Sequence, residues 1–235
     1  MAKWHSKTAA ELAWSGDIAN LKAKQEIAER IAQQARHGEV IGFGSGSTSF
    51  VAILALAARI KAEKLGCLAI PTSPEVELAC STLGIPTTTL LAARPDWAFD
   101  GADEVDPKGN VLEGRGGAMF REKMVFRSAT RRYILVDSSK LVPALGQKFP
   151  VPVEVFPAAI HLVELTLKSL GAAEALLRKA TGKDGPVITE AGNFILDVRF
   201  PSIEANLEKE IKSITGVIES GLFQGFAPEV LVAKD

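Results

Sequence analysis

The sequence predicts an α/β protein: a parallel sheet with helices on both faces, followed by a smaller inserted α+β segment. Short apolar runs alternate with helical patterns over roughly the first 140 residues, as parallel sheets with crossover helices require. Glycine- and acid-rich stretches fall at the ends of several of those runs, where open α/β sheets place their ligands. Near Phe149 the alternation gives way to an extended stretch, a helix and a hairpin signal.

The elements follow in order. Leu21 to His37 carries Ile27, Ile31 and Ala35 on one helical stripe, and Gly38 closes it. VIGFG (40–44) reads as a short buried strand, and a glycine-rich turn leads into a helix over SFVAILALAARIKAEKLG. CLAIPTS is expected as a second strand, PEVELACSTLG as a helix, TTTLL as a third short strand and WAFDGADEV as a fourth ending in acids. MFREKMVFRSAT has a helical pattern, and RRYILVDSSK reads as a fifth strand. Beyond Phe149, VPVEVFP is extended and AAIHLVELTLKSLGA is an amphipathic helix. PVITEAGNFILDVRF predicts two strands joined through the hairpin turn Glu190–Asn193. IEANLEKEIKSI is expected as a helix ahead of closing strands in ESGLF and EVLVAK. The first domain then comprises residues 1–144 and 217–235, and the inserted split-βαβ domain residues 145–216.

A chain of 235 residues buries enough apolar surface to need neither metal nor disulfide. A formal net charge of −1 leaves no electrostatic footprint for nucleic acid and no charged patch for a membrane. Cys67 and Cys80 read as buried small hydrophobes. His5, His37 and His161 are dispersed without metal-ligand spacing. The first residues lack an uninterrupted apolar stretch, and no run approaches the ~20 residues of a membrane span. A cytoplasmic protein is expected. Trp4 and Trp14 are candidates for packing on a partner subunit.

Three loops carry candidate chemistry. In Gly42-Phe43-Gly44-Ser45-Gly46-Ser47-Thr48, glycines admit an anion close to the backbone, where hydroxyls and helix N-terminal amides can satisfy it. The lysine of a Walker loop and the third glycine of a dinucleotide fingerprint are missing, so a small phosphate or carboxylate fits better. A tight strand–helix turn with a Ser/Thr cap is the structural alternative. In Asp100-Gly101-Ala102-Asp103-Glu104-Val105-Asp106, the carboxylates of Asp100 and Asp103 suit sugar hydroxyls or shared protons. Metal binding and a solvated acidic turn are the competing readings. In LEGRGGAMFREK (112–123), Glu122 falls in the first turns of a helix. It reads either as a helix-dipole partner of Lys123 or as a general base, its pKa raised by burial among Met119, Met124 and Val125.

GFGSGSTS (42–49), DGADEVD (100–106), GRGGAMFREK (114–123) and VDSSK (136–140) together resemble ribose-5-phosphate isomerase of type A. KFPVPVEV (148–155), GNFILDV (192–198) and GLF (221–223) extend the resemblance to nearly the whole chain. It implies a Rossmann-like domain with a ferredoxin-like lid, assembled as a homodimer or homotetramer. It implies interconversion of the sugar phosphates D-ribose 5-phosphate and D-ribulose 5-phosphate without cofactor or metal. Ser45, Gly46, Ser47 and Thr48 would cradle the phosphate, with Lys24 and Lys140 as cationic partners. Asp100 and Asp103, with Gly101 and Ala102 between them, would hold sugar hydroxyls and assist ring opening. Glu122 would carry the proton between C2 and C1 through a cis-enediolate, beside a substrate-binding turn of Glu113, Gly114, Arg115 and Gly116.

Chemistry supports that division of labour. Removing a proton next to a carbonyl needs a base, worth ~10²–10⁴ in rate. It also needs donors on the oxygen that gains charge, and amides of the Gly114–Gly117 turn are candidates. The resemblance departs at Glu113, where the family carries a lysine. A unit charge pair at ~4 Å and an effective dielectric of ~20 is worth ~4 kcal/mol, and here its sign is reversed. Three readings stay open: Arg115 replaces the lysine, a protonated Glu113 acts as a donor, or the substrate is a different sugar phosphate or a free sugar. A non-catalytic sugar-phosphate sensor is the rival from another class.

Overall fold

A computed structural model describes residues 17–233. His5, Trp4 and Trp14, with the packing expected of the two tryptophans, lie outside the described residues. In chain order, α1 (Leu21–Ala32), β1 (Val40–Phe43), α2 (Gly46–Glu63), β2 (Leu68–Pro71), α3 (Pro74–Leu83) and β3 (Trp97–Asp100) come first. β4 (Glu104–Val105), β5 (Val111–Leu112), α4 (Met119–Ser128) and β6 (Arg131–Val136) follow, then a 3-10 turn at Ser138–Lys140. β7 (Val151–Val155), α5 (Ile160–Ser169), β8 (Glu174–Leu177) and β9 (Phe194–Arg199) come next. The last elements are α6 (Leu207–Lys212), β10 (Val217–Ser220), β11 (Leu222–Phe223) and β12 (Glu229–Val232). They form two compact units: residues up to Gly101, Ser128–Ser138 and from Leu231 on, and Ala102–Arg127 with Ser139–Val230.

The first unit is Rossmann-like. Its sheet has the order β12-β6-β3-β1-β2, with β1 parallel to β2 and β3, and β3 parallel to β6. Ile41, Phe43, Trp97 and Phe99 are buried on these strands, as the near-continuous apolar runs of a covered parallel sheet demand. Ile27 and Ile31 of α1 and Val51, Ile53 and Leu56 of α2 complete the core. The chain leaves β1 for β2 on one side and returns to β3 on the other. The topological switch point therefore lies between β1 and β3.

The second unit contains a four-stranded antiparallel sheet of order β10-β7-β9-β8. With α5 after β7 and α6 after β9, this is the ferredoxin-like βαββαβ arrangement. The register pairs Val151 with Val198 and Val153 with Leu196, and these side chains pack on Val163 and Leu167 of α5 and Ile211 of α6. Strand alternation turns Pro152, Glu154, Ile195 and Asp197 to the opposite face. β4, β5 and β11 make a separate three-stranded antiparallel sheet.

Several elements differ from the sequence reading. TTTLL makes a single bridge, Thr87 to Ala69, before the chain turns with Leu91 fully exposed. Burial gives nothing that would extend the bridge into a strand. WAFDGADEV breaks at Gly101, and β4 leaves the parallel sheet. The turn at Glu190–Asn193 forms, with Thr189 N donating to Asn193 O at 2.9 Å, but β9 takes β8 as its ladder partner. β8 has no counterpart in the sequence reading, because three of its four side chains are exposed and show no alternation. Among the described residues no helix is long and apolar enough to cross a membrane. Both cysteines are free and buried, and burial pushes the Cys80 thiol up to about 12.

Candidate active site

In the first unit, Phe43 pairs with Phe99, which sets Gly44 against Asp100 at the strand ends. There is no room for a side chain: a Cβ on Gly44 would lie 2.3 Å from Asp100 Oδ1 and 2.5 Å from Phe99 O. Asp100 is buried, and its Oδ1 accepts from Ser45 N at 3.1 Å, Gly101 N at 2.8 Å and Ser49 Oγ at 3.2 Å. One carboxylate oxygen thus ties the end of β3 to the entry of α2. That helix begins at Gly46 after an extended Ser45, so the first amides of α2 have no partner within the helix. Lys24, buried on α1, donates from Nζ to Ser47 Oγ at 2.8 Å. Helix-start amides, hydroxyls and an ammonium in one place suit a small anion.

In the second unit, β5 runs into Glu113, whose N–H donates to Gly221 O at 2.9 Å. Gly114 adopts φ +105°, which disfavours any residue with a Cβ, and such an atom would lie 2.7 Å from Met119 Sδ. Gly117 N closes the turn on Gly114 O at 3.1 Å. The turn lies against the second face of the four-stranded sheet: a Cβ on Gly114 would meet Pro152 Cγ, and one on Gly117 would meet Ile195 Cδ1, each at 3.3 Å. From that face Arg178, the residue after β8, donates through Nη1 to Gly114 O and Arg115 O, both at 2.9 Å. Its Nε and Nη2 pair with the carboxylate of Asp197 on β9. Arg115 N donates to Asp103 Oδ2 at 3.2 Å.

Glu122 occupies the first turn of α4 and is 3% exposed, with Met119, Val125 and Phe126 buried around it. Met124, expected in that apolar wall, is 39% exposed, because a residue two places along a helix faces elsewhere. Lys123 is more than a dipole partner. It is buried and donates from Nζ to Glu208 Oε1 at 3.1 Å, Glu219 Oε1 at 2.9 Å and Leu222 O at 2.6 Å. Burial opposes ionisation of Glu219, but Lys123, the Ser220 amide and Lys212 together hold its carboxyl below the ordinary range. This ion cluster anchors α4 one residue from Glu122. Glu113, half-buried, brings a carboxylate oxygen within 4.8 Å of one on Glu122.

The remaining acids of DGADEVD have separate tasks. Burial pushes the Asp103 carboxyl above its ordinary range, against the opposing pull of Lys140, the Arg115 amide and the charges of Arg115 and Arg178. Glu104 is fully buried and accepts from Gly146 N, Lys148 N and Phe149 N at 2.6–2.8 Å. Asp106 Oδ1 closes the β4–β5 turn through Lys108 N and Asn110 N, both at 2.9 Å. A merely solvated acidic turn does not describe this segment.

Comparison with known proteins decides the family. Residues 68–235 match the family described as ribose 5-phosphate isomerase A (phosphoriboisomerase A). The chain belongs to that family. The ribose-5-phosphate isomerase A of Thermosynechococcus vestitus is 46% identical over 222 residues, spanning 93% of this chain and 94% of the relative. The solved ribose 5-phosphate isomerase A of Methanocaldococcus jannaschii superposes with a TM-score of 0.89 at 41% identity, over 92% of this chain and 96% of that one. A D-ribose-5-phosphate isomerase solved in complex with phospho-erythronic acid gives 0.88 at 39% identity, over the same shares.

Within this family member the residues singled out by sequence fall into two sets. Lys24, Ser45, Gly46, Ser47, Thr48, Asp100 and Gly101 belong to the first unit; Ala102, Asp103, Glu113, Gly114, Arg115, Gly116, Glu122 and Lys140 belong to the second. Arg115 is exposed, its guanidinium 5.9 Å from the centroid of the Phe149 ring, and Lys140 Nζ lies at the same distance from that ring. Among the described residues, the cation bonded to the carbonyls of the glycine turn is Arg178. Sequence reasoning missed it together with Asp197: Arg178 stands 64 residues from Gly114, and its neighbours in β8 show no periodicity.

Proposed function

We propose that the chain interconverts D-ribose 5-phosphate and D-ribulose 5-phosphate through an enediolate, with Glu122 as the base. The observation that carries this reading is a buried carboxylate in the first turn of an anchored helix, directly after a turn whose amides can face a developing oxyanion. Glu122 takes the proton from C2 while negative charge passes to O1, then returns it to C1 as the hydroxyl proton moves from O2 to O1. The phosphate binds at Ser45–Thr48 with Lys24, and Lys140 adds positive charge. Asp100 keeps the phosphate loop in shape and, with Asp103, meets the sugar hydroxyls. A carboxyl that holds its proton more tightly than usual, as Asp103 does, suits proton transfer to the ring oxygen during opening. Glu113 to Gly116 receive the carbonyl end. Neither metal nor organic cofactor enters this scheme, and we place the enzyme in the cytoplasm as a homodimer or homotetramer.

The test is turnover of ribose 5-phosphate by the purified chain, beside a panel of other pentose and tetrose phosphates and free sugars. Ribose 5-phosphate is expected to be the fastest substrate, and Glu122→Gln to lower kcat by ~10²–10⁴. Full activity in that variant would remove Glu122 from the base role. Faster turnover of another sugar would replace the assigned substrate.

A further inference from the structure

We infer that Arg178, held by Asp197, is the positioning residue that aims the amides of the glycine turn at the reacting end of the sugar, and that its guanidinium polarises the turn's peptides; this rests on the isomerase reading above. Among the described residues every peptide bond is trans, so each C=O points away from the N–H of the residue that follows. Gly114 O and Arg115 O both accept from Arg178 Nη1. The N–H groups of Arg115 and Gly116 therefore point away from Arg178. The first of them reaches Asp103 Oδ2, which agrees with that direction. Gly116 is exposed and its N–H donates to none of the described residues. It is a donor aimed at the side of Asp103.

Charge matters as much as direction. A guanidinium bonded to two carbonyls polarises both peptides and strengthens the donors on their far side. Glu113 puts an acid at the entrance of the same turn and the Arg115 side chain is exposed, so the guanidinium in direct contact with the turn's carbonyls is that of Arg178, itself paired with Asp197. Its position is set by the sheet. Arg178 N donates to Ile195 O at 2.9 Å, continuing the β8–β9 ladder, and Asp197 is then its diagonal neighbour on the same face. The two side chains are 15% and 23% exposed. A lysine has three donors, but all on one atom, so it cannot grip both oxygens of Asp197 in parallel and reach the two carbonyls from a separate nitrogen as the planar fork does.

The experiment compares the parent with Arg178→Met and Arg178→Lys after thermal melting. Arg178→Met is expected to lower kcat on ribose 5-phosphate by ~10²-fold, as loss of oriented oxyanion donors does. KM should stay within about threefold, and Arg178→Lys should recover little. Phospho-erythronic acid, whose carboxylate presents two anionic oxygens at the reacting end, should lose affinity by a similar ~10²-fold while inorganic phosphate binds as in the parent. A kcat within about threefold of the parent in a normally folded Arg178→Met would overturn the inference. So would equal weakening of both ligands, which marks a general support of the fold. If the parent fails to turn over ribose 5-phosphate yet the two ligands still separate, the substrate assignment falls and the role of Arg178 at the turn stands.

Discussion

The loop after β1 and the turn before α4 are both rich in glycine, yet they are held by opposite ends of the peptide dipole. Asp100 holds the first by accepting from Ser45 N in the loop and Ser49 Oγ just beyond it. Arg178 holds the second by donating to Gly114 O and Arg115 O. An acidic anchor consumes amides, so the first loop must draw its remaining donors from the start of α2 and from Lys24. A basic anchor consumes carbonyls and leaves amides facing outward. The first design suits a phosphate that carries its charge throughout. The second suits charge that appears only during reaction, where donors must already be in place.

The comparison breaks most severely at Gly44. Gly44→Ala forces a methyl into the Asp100 carboxylate and should cost ~3 kcal/mol or more, lowering the melting temperature by roughly 6–12 °C and abolishing phosphate binding. Gly116→Ala is the control in the other loop. A Cβ there meets nothing within 4 Å, so its melting temperature should stay within about 2 °C of the parent. Equal damage from both would show that the two loops are not held differently.

Glu113→Lys sharpens the contrast by adding a second cation to the glycine turn. With Glu113 and Glu122 oxygens within 4.8 Å, a change of sign beside the proposed base should raise kcat on ribose 5-phosphate about tenfold. An unchanged or lower kcat would give Glu113 a task of its own.

The smallest effect concerns Asp103 and pH. Its folded carboxyl binds a proton more tightly than the unfolded one, so the folded state carries extra protons between the two values. Stability therefore falls as pH rises from the unfolded value through the folded one. Asp103→Asn removes that loss and should melt above the parent at neutral pH, with the gap closing in acid below the ordinary carboxylate range. A gap that does not narrow in acid would contradict the assignment.

The legible parts of the site were local ones. GFGSGSTS could be read as an anion loop because its glycines, hydroxyls and helix start are consecutive. Glu122 could be read as a base because a helix start places it. Met124 was misplaced, since the composition of α4 does not say which stripe becomes buried, and the observed burial of Met119, Glu122 and Phe126 excludes it. TTTLL failed in the same way, an apolar pattern with nothing to cover Leu91. DGADEVD signalled chemistry, but its acids look alike in sequence. Only burial and partners separate Asp100 and Asp103 from Glu104, which holds residues 146–149, and Asp106, which closes a turn.

By itself, then, the sequence determined the α/β class, the family resemblance and the chemistry each loop can offer. Those depend on residue type and on spacings of a few positions. The tertiary structure alone decided how the loops are held and which charge stands beside them. Arg178 reaches Gly114 across 64 residues because the β8–β9 register turns it to the same face as Asp197. Strand register is a choice made by whole buried faces, and a one-residue slip would have pointed Arg178 into the packed core instead.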